Sequence, residues 1–220
     1  MLRPSPIFTR ENRQANRDGR KTQTRRIIKL DELYRDDGTL CWHYLTGAAD
    51  GRYWRNMTDG EMCATAPHGK PGDVWYMREP LKAGEPSIVP GVGRYGCYAD
   101  DNGIGPAARP WRWQRDTLSS MFMPRDFARD FKLVTDVRAQ RVQDISDVDC
   151  KAEGTSDVEH GCLCSMDEFL AGVWLDDFCE EWDHINGKKP GCSSADNPWT
   201  FAYSYRTATP AEIEAAKEKK

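Results

Sequence analysis

The segment that most limits the fold of this chain is PWTFAYSYR, residues 198–206, in which every second residue is aromatic. Trp199, Phe201, Tyr203 and Tyr205 alternate with small or polar residues, and a period of two indicates a β-strand. The chain holds eight tryptophans and eight tyrosines. Their number argues against disorder, because such side chains are costly to leave unburied. We therefore expect a folded protein with a sheet at its core.

Two further strands and one long helix are predicted from the same kind of periodicity. FKLVTDVRAQ (131–140) alternates as a half-buried strand does, and VWYMRE (74–79) follows a turn at Pro71-Gly72-Asp73. Residues 166–187 place apolar side chains at helical spacing, and Gly187 ends the pattern. The apolar stripe of this helix consists of Leu170, Val173, Trp174, Phe178, Trp182 and Ile185. A short helix to about Ala152 is predicted to begin after Ser146, because Ser146-Asp-Val-Asp149 resembles a variant of the capping box. Together these elements predict an α+β fold, a small β-barrel with flanking helices.

Two stretches rich in turn residues interrupt these elements, at about 31–66 and 80–118. We interpret both as large loop insertions, the second with one short strand around Tyr95–Tyr98. No linker divides the chain, so a single domain is predicted over 1–206. The charged tail, 207–220, is predicted as a short helix or as a frayed end.

The charges are segregated along the chain, although the formal net charge is only -4. Residues 1–29 hold nine Lys or Arg against two acids, whereas residues 142–200 hold three against fourteen. Such asymmetry is typical of a protein with an anion-binding end. The alternative is that the two regions neutralise each other in the fold.

The cysteine pattern and the apolar runs indicate a soluble, cytoplasmic protein. The N-terminus lacks the apolar core of a secretory signal, and the longest apolar runs, such as 169–175, are too short for a bilayer. The eight cysteines form no Cys-x-x-Cys pair. His160, Cys162 and Cys164 suggest zinc, but their spacing is not a standard zinc pattern. We expect free thiols, with no metal and no cofactor.

The most basic segment is GRKTQTRR, residues 19–26, here called the basic strip. A short helix is predicted to end at Gly19, and a strand to start near Thr22. In a regular strand, positions 21 and 24 face opposite sides. A site that uses both Lys21 and Thr24 therefore needs Lys21 in the turn after Gly19, or a bulge in the strand.

Within the basic strip, Gly19-x-Lys21-x-x-Thr24-x-Arg26 resembles the ASCH domain signature, Gly-x-Lys-x-x-Glu-x-Arg, with threonine in place of glutamate. The segments HGKPGDVWYMRE, QDISDVDCKAEG, WDHINGK and NPWTFAYSY follow in the order seen in phage and prophage ASCH proteins. The resemblance implies a PUA-like barrel that binds RNA or a modified nucleoside. For a phage-encoded protein it implies the cytoplasm of the host cell.

The threonine variant resembles the ASCH members that hydrolyse N4-acetylcytidine. By this resemblance the catalytic residues are Lys21, Thr24 and Glu153, with Thr24 as the nucleophile and Lys21 as its base. The activity implied is hydrolysis of an acyl amide on cytidine. A non-catalytic RNA-binding module and a ribonuclease stay open as alternatives, and so does an exposed edge strand whose cations contact only phosphate or solvent.

Further residues are candidates for binding the nucleoside or the nucleic acid. Arginines of the basic strip would hold a phosphate or an oxyanion. An aromatic residue in the strand 74–79 would stack on a base, or else belong to the core. Asn197 would read a base edge, or simply form a turn. The full set is Arg20, Arg25, Arg26, Trp75, Tyr76, Arg78, Glu79 and Asn197.

Overall fold

The computed structural model describes residues 1–28, 42–44, 53–56, 62–85, 93–101, 106–155 and 167–219. The strands are β1 (Leu2–Pro4), β2 (Gln23–Ile27), β3 (Trp42–Tyr44), β4 (Tyr53–Asn56), β5 (Met62–Thr65), β6 (Val74–Tyr76), β7 (Leu81–Ala83), β8 (Tyr95–Tyr98), β9 (Pro106–Pro110), β10 (Thr117–Leu118), β11 (Phe131–Arg141) and β12 (Trp199–Thr207). The α-helices are α1 (Arg10–Arg17), α2 (Asp147–Ala152), α3 (Asp167–Asn186) and α4 (Pro210–Glu218). The predicted α+β class is confirmed.

The chain divides into two compact units. Unit 1 comprises Met1–Gln14, Asp73–Leu133 and Thr207–Lys220, and unit 2 comprises Ala15–Gly72 and Val134–Arg206. Both units are discontinuous in sequence, because the chain leaves and re-enters each of them. The single domain expected over 1–206 stays a prediction.

In unit 1, the described residues of 80–118 include four strands, so the prediction of a long loop with one short strand is wrong. β7, β8, β9 and β10 form a sheet in the order β10-β7-β8-β9, all antiparallel. Leu81, Tyr98 and Leu118 are buried together with Met123 and Phe127. This apolar cluster gives the short strands a core of their own. The predicted strand at Tyr95–Tyr98 is confirmed as β8.

The second part of unit 1 is a small sheet with the C-terminal helix. β1 pairs in parallel with β6, which pairs antiparallel with the first residues of β11. The Thr209 hydroxyl accepts a hydrogen bond from the Glu212 backbone, and the Glu212 carboxylate accepts one from the Thr209 backbone, which makes a capping box. α4 then buries Ala216 in a cluster with Val74 and Ala208. Of the two predictions for the tail, the short helix is confirmed.

Unit 2 contains a sheet with the strand order β11-β12-β2. β12 runs antiparallel to β2, with Phe201 opposite Arg26 and Tyr203 opposite Thr24. The middle of β12 is buried at consecutive positions, so both of its faces are covered. A separate antiparallel sheet has the order β3-β4-β5. Within the described ranges, these strand pairings do not close a barrel.

Two helices complete unit 2. α2 begins after Ser146, whose hydroxyl accepts a hydrogen bond from the Asp149 backbone, as the sequence predicts. The apolar stripe of α3 is confirmed at Phe178 and Trp182, which are buried. It is wrong at Ile185, which is 41% exposed. The side chains of Leu170, Val173 and Trp174 lie outside the described part.

Candidate functional site

The backbone before β2 places Lys21 outside the regular strand. Gly19 adopts a positive φ of 76°, a conformation that glycine takes without strain. The Lys21 backbone N–H then donates a hydrogen bond to the Ala15 carbonyl at 3.0 Å. Because β2 starts only at Gln23, Lys21 lies in the turn after Gly19. The expectation that this residue precedes the regular strand is confirmed.

Lys21 and Glu153, which are 132 residues apart in sequence, form a buried ion pair. The Lys21 Nζ donates hydrogen bonds to Glu153 Oε2 at 2.7 Å and to the Glu153 backbone carbonyl. The two side chains are only 4% and 7% exposed. The structure therefore brings together two of the three residues that the resemblance assigns to catalysis.

A glycine allows this close approach. Glu153 is the C-terminal cap of α2, rather than a residue at the start of a helix, and Gly154 follows it with a φ of 79°. A Cβ atom added to Gly154 would lie 3.0 Å from the Lys21 Cβ. Any larger residue at position 154 would therefore be strained at this φ and would crowd Lys21.

Arg25 completes the buried part of the site. Its side chain has 0% exposure. Nη1 donates to Glu153 Oε1 at 2.8 Å, and Nη2 donates to Asp149 Oδ2 at 3.2 Å. In this arrangement the Arg25 guanidinium is buried and paired with two carboxylates, so it does not contact a phosphate at the surface. For this residue, the interpretation of the basic strip as an exposed edge is wrong.

Asp149 connects the buried cations to the surface of unit 2. Its carboxylate accepts hydrogen bonds from Gln23 Nε2 at 2.9 Å and from Arg138 Nη2 at 2.6 Å. Arg138 is 35% exposed. We call Lys21, Arg25, Arg138, Asp149 and Glu153 the ion network. It joins the basic N-terminal region to the acidic 142–200 region, so the neutralisation of one by the other is confirmed for these pairs.

Both carboxylates of the ion network are held in the ionised form. Burial alone raises the pKa of Glu153, but the charges and hydrogen bonds of Lys21 and Arg25 outweigh it, so the pKa is lowered. Burial likewise raises the pKa of Asp149, and the hydrogen bonds from Arg138 and Gln23 with the charges of Arg138 and Arg25 lower it below its usual range. At neutral pH, both groups are acceptors.

These lowered pKa values predict an acid-sensitive fold. Carboxylates whose folded pKa is depressed stabilise the protein above their unfolded pKa, about 3.9 for Asp and 4.3 for Glu. This contribution is lost as the pH falls below those values and through the folded pKa. We expect the free energy of unfolding, measured with urea at a series of pH values, to fall steeply below about pH 4. A stability unchanged between pH 5 and pH 2.5 would contradict the ion network.

Thr24 lies on the other face of β2. Gln23 and Arg25 both point to the ion network, and side chains alternate along a strand, so Thr24 and Arg26 share the opposite face. Tyr203, the partner of Thr24 in β12, also lies there. Its hydroxyl accepts a hydrogen bond from the His68 backbone N–H at 3.2 Å, and burial raises its pKa. Thr24 is thus not brought to the Lys21–Glu153 pair.

The remaining arginines of the basic strip differ in exposure. Arg20 is exposed and pairs with Asp18 at 3.2 Å, at the surface. Arg26 is half-buried and lies opposite Phe201 in the register of β2 and β12. Their roles in binding stay predictions.

The candidates in unit 1 have partners of their own. Trp75 has 0% exposure, which agrees with a core residue and not with a base-stacking platform, and Tyr76 is half-buried. The Arg78 Nε donates a hydrogen bond to the Ser5 carbonyl at 2.9 Å. Burial of the guanidinium lowers the pKa of Arg78.

Glu79 is buried and accepts two hydrogen bonds from Arg129, at 2.9 and 2.7 Å. Arg78 and Glu79 thus each have a partner in unit 1, and their roles in binding stay predictions.

Asn197 has the role of a turn residue. It has a φ of 48°, a left-handed conformation that asparagine tolerates better than most residues. Its Oδ1 accepts a hydrogen bond from the Gln143 backbone at 2.9 Å, and its carbonyl accepts one from Arg141. The geometry therefore agrees with the turn interpretation.

Sequence reasoning missed four residues that belong to the ion network or contact it: Arg138, Asp149, Gln140 and Gln23. Arg25 Nη2 donates to the Gln140 side chain at 3.1 Å, and its Nη1 to the Gln23 side chain at 2.5 Å. One signal was present for Asp149. Ser146 predicts the start of α2, and an acid three residues later lies in its first turn.

The cysteines and acids of the described part do not form a metal site. No three His, Cys, Asp or Glu side chains are grouped so as to hold a metal ion there. Burial raises the pKa of Cys150 to about 12, so its thiol stays protonated. His160, Cys162 and Cys164 lie outside the described residues.

Within the described residues, each helix is too short or too polar to cross a membrane.

Comparison with protein-family models, with curated proteins and with solved structures gives no match to this chain. The ASCH resemblance therefore stays a prediction, carried by the motifs quoted above.

Proposed function

We propose that this chain is a phage-type ASCH protein with a PUA-like barrel, which binds RNA or a modified nucleoside and hydrolyses an acyl amide on cytidine. It would act in the cytoplasm, that of the host if a phage encodes it. One observation carries the proposal. The resemblance selects Lys21 and Glu153 from segments 132 residues apart, and their side chains meet at 2.7 Å.

The geometry favours roles that differ from those implied by the resemblance. Lys21 donates hydrogen bonds to Glu153, and the lowered pKa of Glu153 keeps its carboxylate ionised. The ionised Glu153 carboxylate can accept a proton, although its lowered pKa makes it a weak base, and Lys21 can donate to a developing oxyanion. Thr24 points to the other face, so the nucleophile would be a water molecule.

The proposed step conserves atoms and protons. Water attacks the acyl carbon while Glu153 accepts its proton, and the oxyanion forms beside Lys21. The intermediate then breaks the bond between the acyl carbon and N4, and the proton held by Glu153 passes to that nitrogen. The products are cytidine and a carboxylic acid. Substrate entry requires the pair to open, because both side chains are enclosed.

The enclosure itself favours the alternative of a non-catalytic RNA-binding module. Lys21 and Arg25 are paired with carboxylates and almost inaccessible, as expected of residues that hold β2 against α2. In this alternative the ion network is structural. Binding would then depend on the surface arginine Arg20 and on Arg26.

The test is hydrolysis of N4-acetylcytidine by the purified full chain, followed by its absorbance change. We expect turnover by the native chain and a loss of about 100-fold or more in Lys21→Met, because a charged donor to the transition state is removed. Thr24→Val should keep most of the activity if water is the nucleophile. Circular dichroism establishes that each variant is folded.

Lys188→Met is the matched control, since it removes an exposed lysine of unit 2. It should leave turnover unchanged. No turnover by the native chain, together with RNA binding, would overturn the hydrolase and support the non-catalytic module. Cleavage of unmodified RNA would support the ribonuclease instead. Loss of activity in Thr24→Val but not in Lys21→Met would reject the assigned roles.

A further inference from the structure

Outside the ion network, unit 1 presents a second basic surface. Residues 106–126 contain four arginines and two aspartates, although the whole chain is acidic. The same segment contributes two tryptophans and an exposed phenylalanine. We call this set the arginine–aromatic surface: Arg109, Trp111, Trp113, Arg115, Phe122 and Arg125.

Hydrogen bonds and ring contacts make most of this surface continuous. The Trp111 indole N–H donates to the Arg115 carbonyl at 3.0 Å, and its ring meets the Trp113 ring edge-to-face at 4.8 Å. Trp113 in turn packs on buried Phe127 at 5.6 Å. The Arg109 Nε donates to the Asp126 carbonyl at 3.2 Å, next to Arg125 in the chain. The buried Phe127 ring thus supports half-exposed Trp113, which in turn contacts Trp111.

The charges of this surface are accessible. Arg109, Arg115 and Arg125 are exposed, and none of them forms an ion pair with a carboxylate within the described residues. Arg112 pairs with Asp126, where both side chains are largely exposed. Phe122 is 61% exposed beside Met121, in a short 3-10 turn. Phe122, three residues before Arg125 in the chain, is too exposed to be needed for packing.

We propose that the arginine–aromatic surface binds single-stranded nucleic acid. Guanidinium groups pair with phosphate, and aromatic side chains stack on bases, which a single strand exposes and a duplex hides. An acidic peptide would satisfy the arginines but would leave the aromatic side chains without partners. The inference goes beyond the proposed function, because it places nucleic-acid binding on residues of unit 1 that lie outside the basic strip, and it requires no hydrolysis.

The test measures binding of fluorescent oligouridylate and oligothymidylate to the full chain at several salt concentrations. Arg115→Ala with Arg125→Ala should weaken binding at least 10-fold and reduce the salt dependence, because each phosphate contact contributes about 0.7 to the slope for a single strand. Phe122→Ala should weaken binding about 5-fold or more at an unchanged slope, as the loss of one stacked base does. None of these residues forms an ion pair in the described part, so the fold should persist.

Lys188→Ala with Lys189→Ala is the matched control, a pair of exposed cations in unit 2. An equal loss of affinity in this control would overturn the proposal, because it would show attraction to net charge alone. Tighter binding of a duplex than of either single strand would also overturn it, as would equal binding of polyglutamate. Turnover of free N4-acetylcytidine should be the same in the native chain and the Arg115/Arg125 variant. The failure of one proposal is therefore distinguishable from that of the other.

Discussion

Glu153→Gln is expected to lower the free energy of unfolding by about 3–5 kcal/mol, because it removes one partner of a buried ion network. The substitution keeps the size of the side chain but removes its charge. Lys21 and Arg25 both donate to this carboxylate at 2.7 and 2.8 Å, and both are enclosed. Asp149 still partly compensates Arg25, whereas Lys21 loses its charged partner and keeps only neutral acceptors at residue 153, the backbone carbonyl and the amide oxygen. Urea unfolding followed by tryptophan fluorescence measures the change.

Two variants serve as controls for Glu153→Gln. Glu180→Gln makes the same substitution at an exposed position of α3 and should change the stability by less than about 0.5 kcal/mol. Lys21→Met should cost less than Glu153→Gln, because Arg25 still neutralises Glu153. A loss below 1 kcal/mol in Glu153→Gln would mean that water reaches the network and screens its charges. The acid sensitivity should also weaken in this variant, since one of the two depressed carboxylates is gone.

The ion network has two candidate roles, one in stability and one in turnover. Replacing a whole buried ion network by apolar residues of similar volume is often neutral or stabilising, so its presence is weak evidence for a stabilising role. Stability alone therefore does not explain why charges occupy these positions. Measuring both turnover and unfolding of Lys21→Met separates the two roles, since a structural lysine affects unfolding and leaves any turnover in place.

Local sequence signals predicted the local structure around the site. Ser146 marked the start of α2, and Gly19 marked the turn that holds Lys21 before β2. Both signals depend on a few adjacent residues, because helix capping and backbone conformation are local properties. The ASCH resemblance selected Glu153, which periodicity could not have linked to Lys21 across 132 residues.

Other features could not be predicted because they depend on distant partners. Arg25 belongs to the basic strip, whose local sequence predicts an exposed segment. In the fold, Asp149 and Glu153 pair with its side chain, which is buried. The sheet β10-β7-β8-β9 was missed because glycines and prolines dominate 80–118, whereas its strands depend on Phe127 and Met123 further along the chain. Ile185 fits the stripe of α3, but it is exposed near the end of the helix.

Phe201→Ala is expected to lower the free energy of unfolding by about 3–5 kcal/mol, through lost burial and the cavity left behind. Phe201 is 3% exposed and lies in the middle of β12, whose two neighbours in the strand, Thr200 and Ala202, have 0% exposure. Its ring stands 6.5 Å from that of Tyr203. Because β12 is paired with β11 on one side and with β2 on the other, the sheet has little freedom to move into the cavity that the substitution leaves. Equilibrium unfolding in urea measures the loss.

Phe122→Ala is the matched control for this prediction, since it removes the same side chain from an exposed turn. Its cost should stay within about 0.5 kcal/mol, as for other surface substitutions. If Phe201→Ala cost no more than Phe122→Ala, then β12 would not lie at the centre of the β11-β12-β2 sheet. In that case the register that sets Thr24 and Arg26 on one face and Arg25 on the other would also be in error.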